Sequence, residues 1–96
     1  MENCLFCRIV NREIPSRIVY EDDLVLGFND IEPQAPVHVL LIPKMHLTSL
    51  NELDQEHGEL IAHLTSAIPK VAEKMGIKDT GYRVVVNSGK DGGQTV

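Results

Sequence analysis

A short apolar run between two prolines, VHVLLIP at residues 37–43, most constrains the fold of this chain. Apolar side chains occupy both faces of the run, which predicts a central strand covered on both sides. Pro43 ends the strand, because proline has no backbone N–H to donate to a neighbouring strand. Side chains alternate along an extended backbone, so His38, Leu40 and Ile42 share one face. The run therefore places a histidine beside core residues.

One helix is expected before this strand in the sequence and another after it. Residues 3–11 have the apolar spacing of a short helix, with Asn3 available as its cap. A longer amphipathic helix is predicted from about residue 54 to residue 75, and Gly76 suits its C-terminal cap. Pro69 lies inside that helix and should kink it or remove a hydrogen bond. Both helices have an apolar stripe that needs a sheet to pack against.

Further strands complete the predicted sheet. Residues 17–30 alternate around a polar turn at residues 21–23, which indicates two short antiparallel strands. The segment GYRVVVN at residues 81–87 predicts another strand. The sum is a single α+β domain over residues 1–96, with an antiparallel sheet and helices packed against it.

Composition limits the classes of function. The formal net charge of −5 disfavours DNA, RNA and anionic membrane surfaces as partners, since these require a basic face. A domain of 96 residues buries a modest share of its surface and often needs a staple or a partner. There is no apolar stretch long enough to span a membrane, and the N-terminus lacks a signal peptide pattern. A cytoplasmic protein is the simplest expectation.

The motif CLFC places Cys4 and Cys7 three positions apart. Such a pair can pack as buried thiols, cycle between thiol and disulfide, or bind zinc. The redox interpretation is disfavoured, because no strand precedes Cys4. Zinc needs four ligands, and His46 in the loop PKMHL is the best third candidate. The other histidines are weaker candidates: His38 points from a strand, and His57 and His63 fit a solvated helix face.

The segment NSGKDGGQTV at residues 87–96 is rich in glycine and polar residues. Consecutive backbone N–H groups in such a turn can form a concave anion site, although many plain surface turns have the same composition. It is not a Walker phosphate loop, because Asp91 follows Lys90 where a hydroxyl residue should bind Mg²⁺. Taken alone, the segment leaves both interpretations open.

Three stretches together resemble the histidine triad (HIT) superfamily, and its Hint-like nucleotide-binding branch most closely: CLFCRIVNREIPSRIVYEDD, FNDIEPQAPVHVLLIPKMH and GYRVVVNSGKDGGQTV. The resemblance spans essentially the whole chain. It implies a homodimer of α+β subunits and a substrate class of purine nucleoside monophosphates with a leaving group on the α-phosphate. In such proteins a histidine attacks phosphorus, and water then hydrolyses the nucleotidyl-histidine.

The resemblance also implies roles for individual positions. Asp30 corresponds to the acid that binds the ribose hydroxyls, and His38 to the histidine that supports the catalytic one. Asn87 corresponds to the amide that holds the phosphate or leaving group. The zinc-binding subset of the family matches Cys4, Cys7 and His46. The remaining implied contacts line the base pocket (Phe6, Ile9, Phe28, Asn29, Ile31, Leu40) or cradle the α-phosphate (Gly93, Gln94, Thr95).

One departure bears on activity. The family is named for an H-x-H-x-H run that follows the glycine-rich segment, whereas this sequence stops at Val96. The nucleophile and the implied fourth zinc ligand belong to that run. The chain as given is therefore expected to bind nucleotide but to be catalytically inactive, as a HIT domain cut short at its C-terminal end. The alternative is a non-enzymatic, zinc-binding dimeric interaction module.

Overall fold

The computed structural model describes residues 4–47, 49–92 and 94. Two helices and three strands follow in the order α1 (Leu5–Val10), β1 (Ile18–Glu21), β2 (Val25–Asn29), β3 (Val39–Pro43) and α2 (Gly58–Lys74). Short 3₁₀ turns occupy Leu50–Glu52, Gln55–His57 and Lys90–Gly92. The predicted α+β architecture, with an antiparallel sheet, one short helix and one long helix, is confirmed.

The three described strands form an antiparallel sheet in the order β1-β2-β3. The two strands predicted within residues 17–30 are confirmed as β1 and β2. The central position predicted for residues 37–43 is wrong for the described sheet, because β2 lies between the other two strands. Burial explains this placement, since Val25 and Leu26 of β2 are completely buried. β3 pairs with β2 along the full length of β2.

The sheet has a helix on each face. On one face, Phe28 and Leu26 pair with residues of β3 and form a core with Ile9 of α1. On the other face, Gly27 fits between Tyr20 and Leu41, where an added Cβ would lie 3.4 Å from each side chain. The helix α2 packs against all three strands, and it buries Ala67, Val71 and Ala72. The site residues on the first face are therefore positioned by α1 and the strands.

The ends of the long helix differ from the predicted range of 54–75. α2 begins at Gly58, because Asp54 and His57 form a capping box that holds the preceding residues in a 3₁₀ turn. The predicted C-cap is one residue too late: Met75 is the cap, and Gly76 follows it with a φ of 75°, which lets Ile77 N–H donate to the Ala72 carbonyl at 3.0 Å. α2 continues through Pro69 as one helix. None of the described helices is long and apolar enough to cross a bilayer.

The strand predicted at residues 81–87 is wrong for this structure. No strand is assigned anywhere from residue 81 to residue 88. Valine favours extended backbone, but a strand also requires a neighbour to complete its hydrogen-bond ladder. No described strand pairs with this segment. A row of apolar side chains is therefore left exposed at Tyr82, Val84, Val85 and Val86.

Candidate functional site

Asp30 and His38 face each other where β2 ends and β3 begins. The last paired residues of the two strands are Asn29 and Val39. One further hydrogen bond, from Asp30 N–H to the His38 carbonyl at 2.9 Å, extends the ladder and fixes the two residues opposite each other. Their side chains are half-buried, and Asp30 Oδ2 lies 3.5 Å from His38 Nε2. The sheet thus presents a carboxylate and an imidazole together at one accessible end.

The turn between these strands contacts both side chains. Asp30 Oδ1 accepts a hydrogen bond from the backbone N–H of Glu32 at 2.9 Å, the arrangement of an Asx turn. Gln34 N–H donates to His38 Nδ1 at 3.0 Å. Prolines at positions 33 and 36 restrict the backbone on either side of Gln34. The turn is therefore built to orient the carboxylate and the imidazole.

An apolar cluster lies beside the Asp30–His38 pair. Ile9 and Phe28 are buried in it, and Phe6 and Leu40 pack against it. The rings of Phe6 and Phe28 lie 6.1 Å apart and are tilted by 58°. These four base-pocket candidates are therefore together in the structure. Ile31, by contrast, is 91% exposed and lies apart from the cluster.

The other candidate residues for nucleotide binding are less closely grouped. Asn29 is half-buried at the end of β2, whereas Asn87 is exposed in an irregular segment. The glycine-rich turn closes on itself, since Gly89 N–H donates to the side-chain oxygen of Gln94 at 2.6 Å. Gly89 has a φ of 74°, which favours glycine at this position. Gly93 and Thr95 lie outside the described residues.

Cys4, Cys7 and His46 form a cluster of donor atoms that all lie within 4.8 Å of one another. Cys4 caps α1, which places its sulfur 3.2 Å from the backbone nitrogen of Cys7. The loop after β3 brings His46 Nδ1 to 3.0 Å from Cys7 Sγ. Two ligands of a tetrahedral zinc ion are separated by about 3.6 Å, given Zn–S and Zn–N distances near 2.3 and 2.05 Å. The donor types and their spacing therefore fit zinc with only small movements.

The two thiols differ in acidity. Burial raises the pKa of Cys4, but hydrogen bonds from the Cys7 thiol and the nearby backbone outweigh it, so the pKa lies below its ordinary value. The pKa of Cys7 is raised, chiefly because its thiol donates to Cys4, with burial adding to the effect. Cys4 is consequently the readier of the two to carry a negative charge.

A polar cluster between the β1–β2 turn and α2 was missed by the sequence interpretation. His63, expected on a solvated helix face, places Nε2 2.7 Å from Asp22 Oδ2. Tyr20 donates its hydroxyl to the same oxygen at 2.9 Å, and the backbone N–H groups of Leu24 and Val25 donate to Oδ1, also at 2.9 Å. Asp22 thus joins the hairpin to α2. An aspartate at a turn could have suggested the local bonds, but no local signal indicates His63.

These contacts determine the acidity of Asp22. Burial raises the pKa of the carboxyl, but the backbone N–H of Leu24, His63, the backbone N–H of Val25 and Tyr20 outweigh it. The pKa of Asp22 is therefore held well below its usual range. The hydrogen bond that the Tyr20 hydroxyl donates to Asp22 raises the pKa of the Tyr20 phenol. The cluster has the features of a structural joint between two elements.

Comparison with known proteins identifies a family pattern in this chain. The sequence model of one protein family, the HIT domain, matches residues 11–96 of this chain. The purine nucleoside phosphoramidase of Escherichia coli K12 is 44% identical over 95 residues, which cover 99% of this chain and 80% of that protein. The matched region includes every candidate residue from Asp30 to Thr95.

Solved structures share the fold. A histidine triad protein from Clostridium difficile superposes with a TM-score of 0.95 at 47% identity, covering 100% of this chain and 84% of that one. A HIT family hydrolase from Clostridium thermocellum gives a TM-score of 0.96 at 47% identity, with the same coverage of the two chains. The arrangement of α1, the sheet and α2 is therefore shared with both proteins.

Proposed function

The chain belongs to the HIT family, and from that premise we propose that it binds purine nucleoside monophosphates and their derivatives at the Asp30–His38 end of the sheet. The observation that carries the proposal is the fixed opposition of Asp30 and His38 beside an apolar cluster, against which the partly buried Phe6 and Leu40 pack. The name of the Escherichia coli relative, purine nucleoside phosphoramidase, supports this class of ligand.

Each part of the site suits one part of a nucleotide. A purine base is flat and largely apolar, so it matches the cluster that contains Phe6 and Phe28. The Asp30 carboxylate carries only hydrogen-bond acceptors when ionised and suits the two hydroxyl donors of a ribose. The phosphate is proposed to lie near Asn87, whose side-chain amide is a hydrogen-bond donor.

We further propose that hydrolysis of a nucleotidyl substrate through a nucleotidyl-histidine needs a histidine nucleophile that these 96 residues do not supply. They contain no H-x-H-x-H run. Each of the four histidines already has another contact. His38 accepts a hydrogen bond from the β2–β3 turn, and His46 contacts Cys7. His57 caps a 3₁₀ turn, and His63 contacts Asp22. Attack on phosphorus would require a histidine beside the phosphate position. These 96 residues are therefore expected to bind nucleotide without turnover.

Calorimetry with AMP tests the binding proposal. We expect saturable binding with a Kd between about 10 μM and 1 mM, because the base and ribose contacts are present and the phosphate contacts are incomplete. Adenosine 5′-phosphoramidate should bind similarly, and chromatography should detect no release of AMP above the uncatalysed rate. Absence of any saturable heat with either ligand would remove the proposal. Turnover by these 96 residues would contradict the assignment of the missing nucleophile.

A second proposal is that the cluster of Cys4, Cys7 and His46 binds structural zinc. It is favoured by the observation that two thiol groups and an imidazole converge within 4.8 Å. Zinc would link the start of α1 to the loop after β3 and so clamp the face on which the nucleotide is proposed to bind. When bound, the ion supplies crosslinking between these segments, and the fourth position would be filled by water or another ligand.

Removing one ligand should lower the zinc content. We expect about one zinc ion per wild-type chain after gel filtration, and markedly less in His46→Ala, because two thiolates alone make a weak site. His57→Ala is the matched control, since His57 also lies in a surface turn but contacts Asp54 rather than the cysteines. Metal analysis provides the measurement. A wild-type chain without zinc, or equal zinc in both variants, would contradict the proposal.

Homodimer formation is a further part of the proposed function. It is supported by the exposed apolar row of Tyr82, Val84, Val85 and Val86, which costs free energy while it faces water. A second subunit could cover this row and supply a backbone partner to residues 82–86. Sedimentation equilibrium should then report twice the monomer mass, whereas a monomer at millimolar concentration would exclude this association for these 96 residues.

A further inference from the structure

The hydrogen bond between Gln34 and His38 determines which imidazole nitrogen carries a proton. The Gln34 backbone N–H points at His38 Nδ1, with a nitrogen–nitrogen distance of 3.0 Å. A backbone N–H can only donate, so Nδ1 must accept and can carry no hydrogen. Of the two neutral tautomers, only the one protonated at Nε2 can form this contact. In the opposite tautomer, two N–H groups would point at each other.

The other nitrogen then has a defined role. His38 Nε2 faces Asp30 Oδ2 at 3.5 Å. That distance is long for a hydrogen bond, although contacts in ligand-free sites often shorten once a ligand is bound. The second oxygen, Oδ1, is already held by the Glu32 N–H at 2.9 Å. Asp30 thus accepts one hydrogen bond from the turn at Oδ1, and an imidazole N–H lies near Oδ2 at a distance longer than an ordinary hydrogen bond.

We propose that the Gln34 backbone N–H fixes neutral His38 as the Nε2–H tautomer, so that His38 acts as a positioning residue that orients the Asp30 carboxylate toward a ribose diol. The orientation of a ligand rests on the nucleotide-binding function proposed above, whereas the tautomer does not. The Glu32 N–H already restrains Oδ1, and a shortened contact from His38 Nε2–H would restrain Oδ2 as well. The turn would thereby contribute to nucleotide binding through a backbone group.

Nitrogen NMR of ¹⁵N-histidine-labelled protein reads the tautomer directly. In wild-type protein, at a pH where the ring is neutral, we expect Nδ1 of His38 at the shift of an unprotonated nitrogen and Nε2 at that of a protonated one. The reverse assignment, or averaged shifts from a mixture of tautomers, would overturn the proposal. This measurement needs no nucleotide, so its outcome is independent of whether the protein binds AMP.

Three variants separate the contributions of the turn and the carboxylate. Gln34→Pro removes the N–H and should raise the Nδ1–H population, whereas Gln34→Ala keeps the N–H and should resemble wild type. Identical spectra for these two variants would contradict the role of the Gln34 backbone. Asp30→Ala should retain the Nε2–H tautomer, because the turn still selects it; loss of that preference would assign the control to Asp30 instead. The wild-type and Asp30→Ala spectra remain decisive if Gln34→Pro does not fold.

The consequence for ligand binding has its own measurement. Calorimetry should show AMP affinity about fivefold lower in Gln34→Pro than in Gln34→Ala, the equivalent of one hydrogen bond of roughly 1 kcal/mol. Equal affinities would overturn the positioning role while leaving nucleotide binding intact. If neither wild type nor variants bind AMP while His38 is in the Nε2–H form, the proposed function fails and the tautomer assignment stands.

Discussion

Replacing Asp30 with alanine should lower the affinity for AMP by about 10- to 100-fold. The proposed contacts are hydrogen bonds from the ribose hydroxyls to an ionised carboxylate, and such bonds contribute about 1.5–3 kcal/mol. The carboxylate is half-buried, so its negative charge is only partly screened by water. Removing it also leaves His38 Nε2 without its neighbour. Isothermal titration of AMP into the folded variant measures the effect.

Glu32→Ala is the matched control for Asp30→Ala. Glu32 carries an exposed carboxylate two residues further along the same turn, and its backbone N–H still donates to Asp30 after the substitution. AMP should bind this variant with nearly wild-type affinity. Circular dichroism should show that both variants retain the fold. An equal loss of affinity in the two variants would show that the effect comes from the negative charge of the turn in general. Unchanged AMP binding by Asp30→Ala would contradict the proposed ribose contact.

Asp22→Ala is expected to produce the largest change in stability, a loss of about 2–4 kcal/mol in the free energy of unfolding. The side chain is only 25% exposed and accepts hydrogen bonds from four groups. Alanine removes every acceptor at once and leaves partly buried donors unsatisfied. It also breaks the connection through which His63 anchors α2 to the β1–β2 hairpin.

Asp23→Ala provides the control, because Asp23 is the exposed neighbour of Asp22 in the same turn. Its substitution should change stability by less than about 0.5 kcal/mol. Urea denaturation followed by circular dichroism gives both values. Similar midpoints for the two variants would show that the Asp22 cluster contributes little, in contradiction to the geometry.

Acid titration of stability tests the same cluster. The pKa of Asp22 is lower in the folded state than in the unfolded chain, so the unfolded state binds its proton first as the pH falls. The stabilisation is therefore fully present above the ordinary aspartate pKa of about 4 and is lost progressively below it. Asp22→Asn cannot titrate, so its stability should fall less steeply than that of the wild type in this acid range.

Local sequence signals were sufficient where each element depends on its neighbours in the chain. The hairpin of β1 and β2 followed from alternation around a polar turn, and Gly76 ended α2 as its φ requires. These features require no information about residues distant in sequence. Asp30 and His38 were identified through the family resemblance, and the structure places them opposite each other across one proline-containing turn.

Two failures depend on partners far along the chain, whereas the later start of α2 has a local cause in the Asp54–His57 capping box. His63 lies 41 residues from Asp22, and nothing on its own helix indicates that it contacts a hairpin turn. Residues 81–87 have the composition of a strand, but composition cannot supply the neighbouring backbone that a ladder needs. By contrast, the proximity of His46 to Cys7 across 39 residues was predicted correctly, because ligand chemistry rather than spacing suggested it.

The most direct test of nucleotide binding at the proposed site is an amide NMR titration of ¹⁵N-labelled protein with AMP. We expect saturable shifts at residues 28–38, which include Phe28, Asp30, Gln34 and His38, and little change at Asp22 or His63 on the opposite face. Shifts confined to that opposite face, or none at millimolar AMP, would contradict nucleotide binding at the Asp30–His38 end of the sheet.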